Sequence, residues 1–432
     1  MTVAYQKEIP IVYETEILVC GGGSAGATCA IAAARMGAKV CLVERNNILG
    51  GVMTSGGNNE IALFYKEDKQ IIKGIGWEFV TRLKEKGFAQ IPEFKAGIHH
   101  SLQAVHVNIP MAGRMWDEMC MESGVKLFFK MKAVDIIRGK NSWTVIMGGD
   151  NGLCAIVARK VVDCSGDGIL AVMAGAKFEL SDELQPGTLR FFTAGYNLEN
   201  INRERVKFLF EKGVKDGEVQ SSDFWPSPNG NPRVIFEHDG NNINHIAITP
   251  DTLDDKTEIE MEGRKSVERI VNWVRKNVSG AENFIASTTS GEVAIRETRR
   301  IVCEEYITVG DYLAAKEYED AICYAYYPVD LHKAKGETLE NIFLDNNKIP
   351  TIPYRAFIPT GIEDMLIAGR CVSSDRLANS AIRVKAVCMA MGEAAGVAAV
   401  LSLKDKVGLR DIKIAELKKV LADKGCIIPY WG

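Results

Sequence analysis

The chain has 432 residues, 47% of them hydrophobic, and a formal net charge of −4. That is enough for a sizeable core and two or three domains, and it excludes the basic surface that nucleic-acid binding needs. Eleven cysteines without a Cys-x-x-Cys pair argue against zinc or iron–sulfur sites, so no metal is expected, and they suit a reducing cytoplasm. The N-terminus Met1–Tyr13 mixes charged, polar and apolar residues, so no signal peptide is expected. No transmembrane segment is expected either, and the apolar stretch Ala394–Leu403 reads as a buried helix end.

In chain order, the first element is an apolar strand, Ile17–Cys20, running into Gly21-Gly22-Gly23-Ser24-Ala25-Gly26. Ala-rich helix formers follow through Arg35, Gly37 stops that helix, Lys39–Val43 forms a second strand, and Glu44 sits at its end. This is a β-α-β unit with the G-x-G-x-x-G pattern in full context, the signature of a dinucleotide site. Gly21 serves the turn, Gly23 admits a pyrophosphate, and Gly26 lets helix and strand pack. Ser24 and Ala25 open the helix toward the phosphates, and Glu44 would accept a ribose hydroxyl. Directly after it come Arg45, Gly50, Gly51, Val52, Thr54 and Ser55. A Gly-Gly pair there lets backbone run against a flat ring system, which favours FAD over NAD.

Helices are expected at Ile75–Lys86 and Asn108–Ser123, the second with Met111, Met115, Trp116 and Met119 on a core-facing stripe. Val125–Phe129, Ala133–Ile137, Trp143–Met147 and Cys154–Ala158 read as a small sheet returning to a strand at Lys160–Asp163. Leu189–Tyr196, Val234–Glu237 and Asn244–Thr249 read as further strands, the last two joined by a turn at Asp239-Gly240. Ile259–Val278 reads as a helix, and Ile382–Leu401 as one long helix whose N-terminus points at the flavin. The fold expected is α/β: a discontinuous Rossmann-like FAD-binding domain (1–175 and 346–432) with an inserted α+β substrate domain (176–345).

Several segments resemble the FAD-dependent oxidoreductases of the glutathione-reductase-like flavoprotein superfamily. They are Glu16–Gly57, Val161–Gly168, Ile352–Ala356, Leu366–Cys371, Ser380–Val384 and Cys388–Gly396. The broad family also includes the flavin subunit of heterodisulfide reductase, whose iron–sulfur cysteines are missing here, as is any cysteine pair after Gly50-Gly51. The resemblance is weak over roughly 176–290. It implies FAD as the cofactor, held by the glycine loop and by Ala133, Ser165, Gly166, Asp167, Gly369, Arg370 and Ile382.

Flavin supplies the redox chemistry, so catalytic candidates are polar groups around its ring. Arg296-Glu297-Thr298-Arg299-Arg300, taken as helical, puts Arg296 and Arg300 on one face. They would orient an anionic substrate or the flavin-side backbone, or else form a solvated or salt-bridged face with Glu292, Glu297, Glu304 and Glu305. Arg383 would polarise the flavin or bind substrate, or else pair with Asp375 or Glu393. Of His99, His100, His106, His238 and His245, His245 is the favoured base; Tyr196 and Tyr354 are weaker candidates. The expected activity is an FAD-dependent oxidoreductase passing hydride between a small polar organic substrate and flavin N5, with the electron partner open and a homo-oligomer allowed. The alternatives are an oxygen-using oxidase or monooxygenase and a non-catalytic FAD-binding protein.

Overall fold

The computed structural model describes residues 2–224, 235–236, 243–250, 252–333, 340–345 and 347–430. The elements that position the site are, in chain order, β1 (Ile11–Cys20), α1 (Ser24–Arg35), β2 (Val40–Glu44), α2 (Ile75–Glu85), α3 (Ile109–Glu122) and β3 (Lys126–Phe129). A hairpin sheet follows in β4 (Lys132–Arg138), β5 (Trp143–Gly149) and β6 (Gly152–Asp163). Then come β7 (Phe191–Ala194), α4 (Arg203–Lys215), α5 (Leu253–Asn277), β8 (Ile285–Thr289), β9 (Val329–Leu331), β10 (Met365–Ile367), α6 (Arg376–Ile382) and α7 (Lys385–Asp405).

One seven-stranded sheet organises the molecule, in the order β3-β2-β1-β6-β5-β4, with β10 also paired to β6. The strands from β3 to β6 are parallel, and so is β10 on β6. β5 pairs antiparallel with both β6 and β4. The strand expected at Cys154–Ala158 and the one at Lys160–Asp163 are a single strand. Its first half pairs with β5 and its last three residues with β10. The parallel part is buried on both faces, so Ile17, Leu18, Val19, Cys41 and Leu42 read as continuous apolar runs with no exposure.

Close helix packing holds the two ends of the chain together. A Cβ on Gly392 would overlap the carbonyl oxygen of Ala25, and one on Gly396 that of Cys29. α1 and α7 therefore run parallel in near backbone contact, and Thr28 Oγ1 donates to the Met389 carbonyl at 2.8 Å. α7 is apolar all round because it is buried all round. It is the one helix among the described residues long and apolar enough to cross a membrane, and 89% of that window is buried inside the fold. The long helix expected at Ile382–Leu401 is interrupted. α6 ends at Ile382, and Val384 is extended (φ −65°, ψ 150°) before α7 begins. Arg383 thus lies in a break between helices, rather than at the start of one.

A second core belongs to the inserted region. Phe210, Phe224, Ile270, Trp273, Val274 and Phe284 pack there under the antiparallel pair β7–β8. α5 is started by a reciprocal cap between Thr252 and Asp255. Ile307, Tyr312, Ile322, Val329 and Leu344 instead join the core around α1 and α7. The strand expected at Val234–Glu237 is not formed at Ile235 and Phe236, which make a short helical turn. Val234, Glu237, His238 and the Asp239-Gly240 turn lie outside the described residues. In Asn244–Thr249 only Ile246 forms a bridge, to Gly187, because the neighbouring groups bond elsewhere, His245 N to Ser222 O and Asn244 O to Thr188 Oγ1.

Glu393 shows how tightly α7 is held. Its carboxylate accepts from Ile75 N at 2.8 Å, yet burial raises its pKa to about 7. A carboxyl raised above its ordinary 4.5 binds more protons folded than unfolded between those values, so stability falls as pH rises from 4.5 to about 7. Glu393→Gln keeps an acceptor and removes the charge. Its melting temperature should exceed wild type at pH 8, and the gap should close toward pH 5. A gap independent of pH contradicts this assignment.

Candidate active site

A cavity of about 840 Å³ opens beside the C-terminal ends of β1, β2 and β6. It lies near the top of the roughly 300–1,000 Å³ range of ligand sites. Gly21, Gly23, Ser24, Ala25, Glu44, Arg45, Gly50, Gly51, Val52, Ser165, Gly166, Asp167, Gly369 and Arg370 all line it. The sheet explains this convergence, since parallel strands deliver their following loops to one edge.

At the cradle end, the first-turn N–H groups of α1 lack intrahelical acceptors and meet the cavity. A Cβ on Gly23 would find only the Gly51 Cα, at 4.0 Å, so the space in front of it is open. A Cβ on Gly26 would overlap the Gly21 carbonyl oxygen, so that glycine serves helix packing and does not line the cavity. Glu44 is buried, and burial raises its pKa; its oxygens accept from Gly22 N at 2.6 Å and Asn46 N at 2.8 Å. A carboxylate has about four acceptor sites, leaving capacity for a ribose hydroxyl.

The opposite wall is a turn held from below. Asp163, fully buried, accepts from Ser165 N and Oγ, Leu170 N and Ala171 N at 2.6–3.1 Å. That bonding shapes the Ser165–Gly168 turn. Burial opposes ionisation of Asp167, but Arg370, Thr298 and Arg45 outweigh it and lower its pKa. Arg370 bonds Asp167 and the carbonyls of Gly166 and Ile295, so it braces three segments of the cavity wall. An open glycine cradle, a helix N-terminus and a strand-end acid facing one long cavity fit a dinucleotide.

Other expected contacts are not brought to the cavity. Thr54 Oγ1 donates to Leu49 O, and Ser55 Oγ accepts from Asn46. Ala133 and Ile382 are buried in cores away from the lining. Thr54 and Ser55 therefore shape the Gly50-Gly51 loop from behind.

The arginine motif is extended, not helical. Its backbone bonds go across the chain, Ala294 N to Thr188 O at 2.8 Å and Arg300 paired with Glu179. Arg296 and Arg300 engage different partners and only Arg296 lines the cavity. Arg300 is buried and bonds Glu297, Ser374 O and Ser181, outside the lining, which corrects its expected catalytic role. Glu297 also takes Arg376 and Gln185 N. Arg296 does line the cavity, anchored by Nη1 to Pro186 O and Thr188 Oγ1. Burial, then repulsion from Arg383, lowers its pKa to about 9.

At this inner end stand Arg383, Tyr327, Asp330, His332 and Lys385. Arg383 Nη2 donates to Gln185 Oε1 at 3.0 Å, not to Asp375 or Glu393. His332 Nε2 lies 3.2 Å from Asp330 Oδ2, and its Nδ1 lies 3.3 Å from His245 Nε2. Burial, then Arg296, lowers the His332 pKa to about 4, so the ring is neutral near pH 7. With the proton assigned to Nε2, His332 donates to Asp330 and accepts from His245. His245 itself is buried behind His332 and does not line the cavity, so it cannot be the contacting base expected. Tyr354 donates to Leu409 O inside the core, and Tyr196 contacts Thr193 in the inserted region. Asp330, His332 and Lys385 were missed by sequence reasoning. They carry no motif, and only the pairing of β9 and the break before α7 bring them together.

The profile of the FAD dependent oxidoreductase family matches residues 16–421. The chain belongs to that family. It is an FAD-dependent oxidoreductase, and FAD is its cofactor. No curated protein matches the chain. Among solved structures, a geranylgeranyl bacteriochlorophyll reductase-like protein from Thermoplasma acidophilum is 10% identical, covering 95% of this chain and 84% of its own, with a TM-score of 0.46. A flavoprotein/dehydrogenase from Cytophaga hutchinsonii is 14% identical, with coverages of 95% and 86% and a TM-score of 0.41. The p-nitrophenol 4-monooxygenase of Pseudomonas putida DLL-E4 is 11% identical, with coverages of 96% and 85% and a TM-score of 0.41. Likenesses this distant carry no argument about the reaction of this oxidoreductase.

Gly23→Glu should leave the protein folded, because the new side chain enters open cavity, and should abolish FAD binding. Circular dichroism together with the flavin absorbance of purified protein checks both. Stoichiometric FAD in a folded Gly23→Glu protein contradicts the cradle.

Proposed function

We propose that this oxidoreductase acts on a small polar organic molecule bound at the inner end of the cavity, between the FAD-binding portion (1–175 and 346–432) and an inserted substrate portion (176–345). The observation that carries the reading is one continuous cavity with a dinucleotide cradle at one end and Arg296, Asp330, His332, Arg383 and Lys385 at the other. The β-α-β unit and the Val161–Gly168 segment support a place in the glutathione-reductase-like superfamily, and the free thiols suit a reducing cytoplasm.

FAD, when bound, supplies the hydride chemistry; the protein supplies orientation and electrostatics. Gly21 to Ala25 and Glu44 would hold its pyrophosphate and ribose. Arg383 orients the substrate from the break between α6 and α7. Lys385 handles the proton. Its Nζ donates to Glu60 O at 2.6 Å, and burial lowers its pKa to about 7 against the opposing pull of Glu60. A group near pH 7 both takes up and releases a proton readily. The Asp330–His332–His245 chain holds Asp330 in place as a fixed anion beside them.

An anaerobic titration of the holoenzyme with hydroxy acids, sugars, amines and enoates tests the reading. Bleaching of the flavin bands by one class is expected, and no bleaching by any class, with reduced enzyme equally inert to acceptors, overturns it. Lys385→Met should slow that reduction by about 10²-fold or more and remove an inflection near pH 7 from its rate. An unchanged pH profile assigns Lys385 a structural role.

A further inference from the structure

Tyr327 lines the inner end of the cavity together with Asp330, Arg383 and Lys385. It follows Tyr326 in the chain, and the two rings part. Tyr326 packs against the core around α1 and α7, with Lys66 Nζ 5.6 Å from its ring centre. Tyr327 lies outside the apolar cores and borders the cavity instead. Its backbone is fixed by one buried side chain. The hydroxyl of Tyr312, on a short helix at Val309–Ala314, donates to Tyr327 O at 2.7 Å and accepts from Tyr327 N at 3.1 Å. Its ring meets the His100 ring edge to face, with centroids 5.1 Å apart and planes at 82°. Burial, then His99, lowers the His100 pKa to about 4, so that neighbour is neutral near pH 7.

Backbone and ring are thus both restrained, and the phenol is carried to a set place with its own hydrogen bond unused. Among the described residues, both hydrogen bonds of Tyr327 belong to its backbone and none to its hydroxyl. Asp330, the acid that acts on the phenol most strongly, is held by His332 at 3.2 Å. Burial, then Asp330, raises the phenol pKa, against the pull of Arg383; Glu60 adds to the rise and Arg296 opposes it. The hydroxyl therefore keeps its proton at about pH 7, where Lys385 titrates. Two roles separate at this end of the cavity: Lys385 exchanges a proton, and Tyr327 donates a hydrogen bond without giving its proton up.

We propose that Tyr327 is a catalytic residue whose hydroxyl donates to a substrate oxygen that gains negative charge during the reaction, so that the substrate is an alcohol or a conjugated carbonyl compound. The proposal rests on the reading above that substrate binds at the inner end. A donor fixed in a site shielded from water stabilises such an oxygen more as its charge grows than in the ground state. An alcohol is oxidised by losing its carbinol hydride to FAD and its hydroxyl proton to Lys385, with a C=O bond formed; its oxygen gains charge as that proton leaves. A conjugated carbonyl is reduced by hydride from reduced FAD to its β-carbon and a proton from Lys385 to its α-carbon; its oxygen gains charge as the hydride arrives. In both, the phenol keeps its own proton. An amine has no such oxygen, and a donor on its nitrogen would hold back the lone pair that expels the hydride.

Stopped-flow flavin absorbance of the holoenzyme tests this. Oxidised enzyme is mixed with hydroxy acids and sugars, reduced enzyme with enoates, and oxidised enzyme with amines for comparison. At least one of the oxygen-bearing classes should react, and which one does separates alcohol from conjugated carbonyl. For that class, Tyr327→Phe should slow the flavin step by about 10²- to 10³-fold. Apparent affinity and FAD content should be unchanged, and the inflection near pH 7 retained. Tyr326→Phe, one residue away and outside the cavity lining, should match wild type. An unchanged rate in Tyr327→Phe, or a loss confined to apparent affinity, overturns the proposal. So does loss of the inflection, which would make the phenol a proton-exchanging group, or loss of FAD, which would assign it to the cofactor. Reaction with amines alone defeats the proposal and leaves the oxidoreductase reading standing. Inertness to every class defeats that reading, and the proposal with it.

Discussion

Two helices from opposite ends of the chain touch backbone to backbone, and the site depends on that contact. Gly26 lets α1 lie against the first strand, and Gly392 and Gly396 let α7 lie against α1. No side chain larger than hydrogen fits at these points. Because the helices run parallel, both N-termini reach the same cavity, one at the glycine loop and the other at Arg383 and Lys385. Each presents the positive end of its dipole, and at α7 the Ala386 N–H is taken by the Ala62 carbonyl. A separation of a few ångströms would displace Arg383 and Lys385 relative to the glycine loop and reshape the cavity between them.

The second organising force is charge kept out of water. The cavity wall uses arginines in two distinct ways. Arg300 and Arg370 are spent on the protein, bonded to acids and carbonyls that fix the turns around them. Arg296 bonds Thr188 and the Pro186 carbonyl, Arg383 bonds Gln185, and both line the cavity. The first pair fixes the turns of the wall, and the second reaches the cavity itself. Neutral His332 adds no positive charge, and it pins Asp330 by a hydrogen bond.

Residues close in sequence were legible where local geometry alone decides their role. The β-α-β unit is such a case: turn, helix start and strand-end acid lie within one continuous stretch, and each part landed on the cavity. The arginine motif was misread because its helical spacing was a coincidence of composition. Cross-chain bonding by Ala294 and Arg300 overrode it. Ile382, Thr54 and Ser55 sit near cavity-lining residues in sequence but turn into a core or a loop, since neighbouring residues face different ways, and Ala133 is buried in a core far from the lining.

From its amino acids alone, the chain declares an α/β dinucleotide fold and its FAD cofactor, because backbone turns, apolar strand runs and helix starts are short-range properties. Tertiary structure decided which charged groups meet. Asp330 comes from β9 and His332 from the segment just after it, Arg296 from an extended segment, Arg383 from the break between α6 and α7, and Lys385 from the first residue of α7. Nothing in the spacing of these residues along the chain announces a site. Burial, mutual repulsion and shared partners give them their chemistry, and those arise only when distant segments are packed against one another.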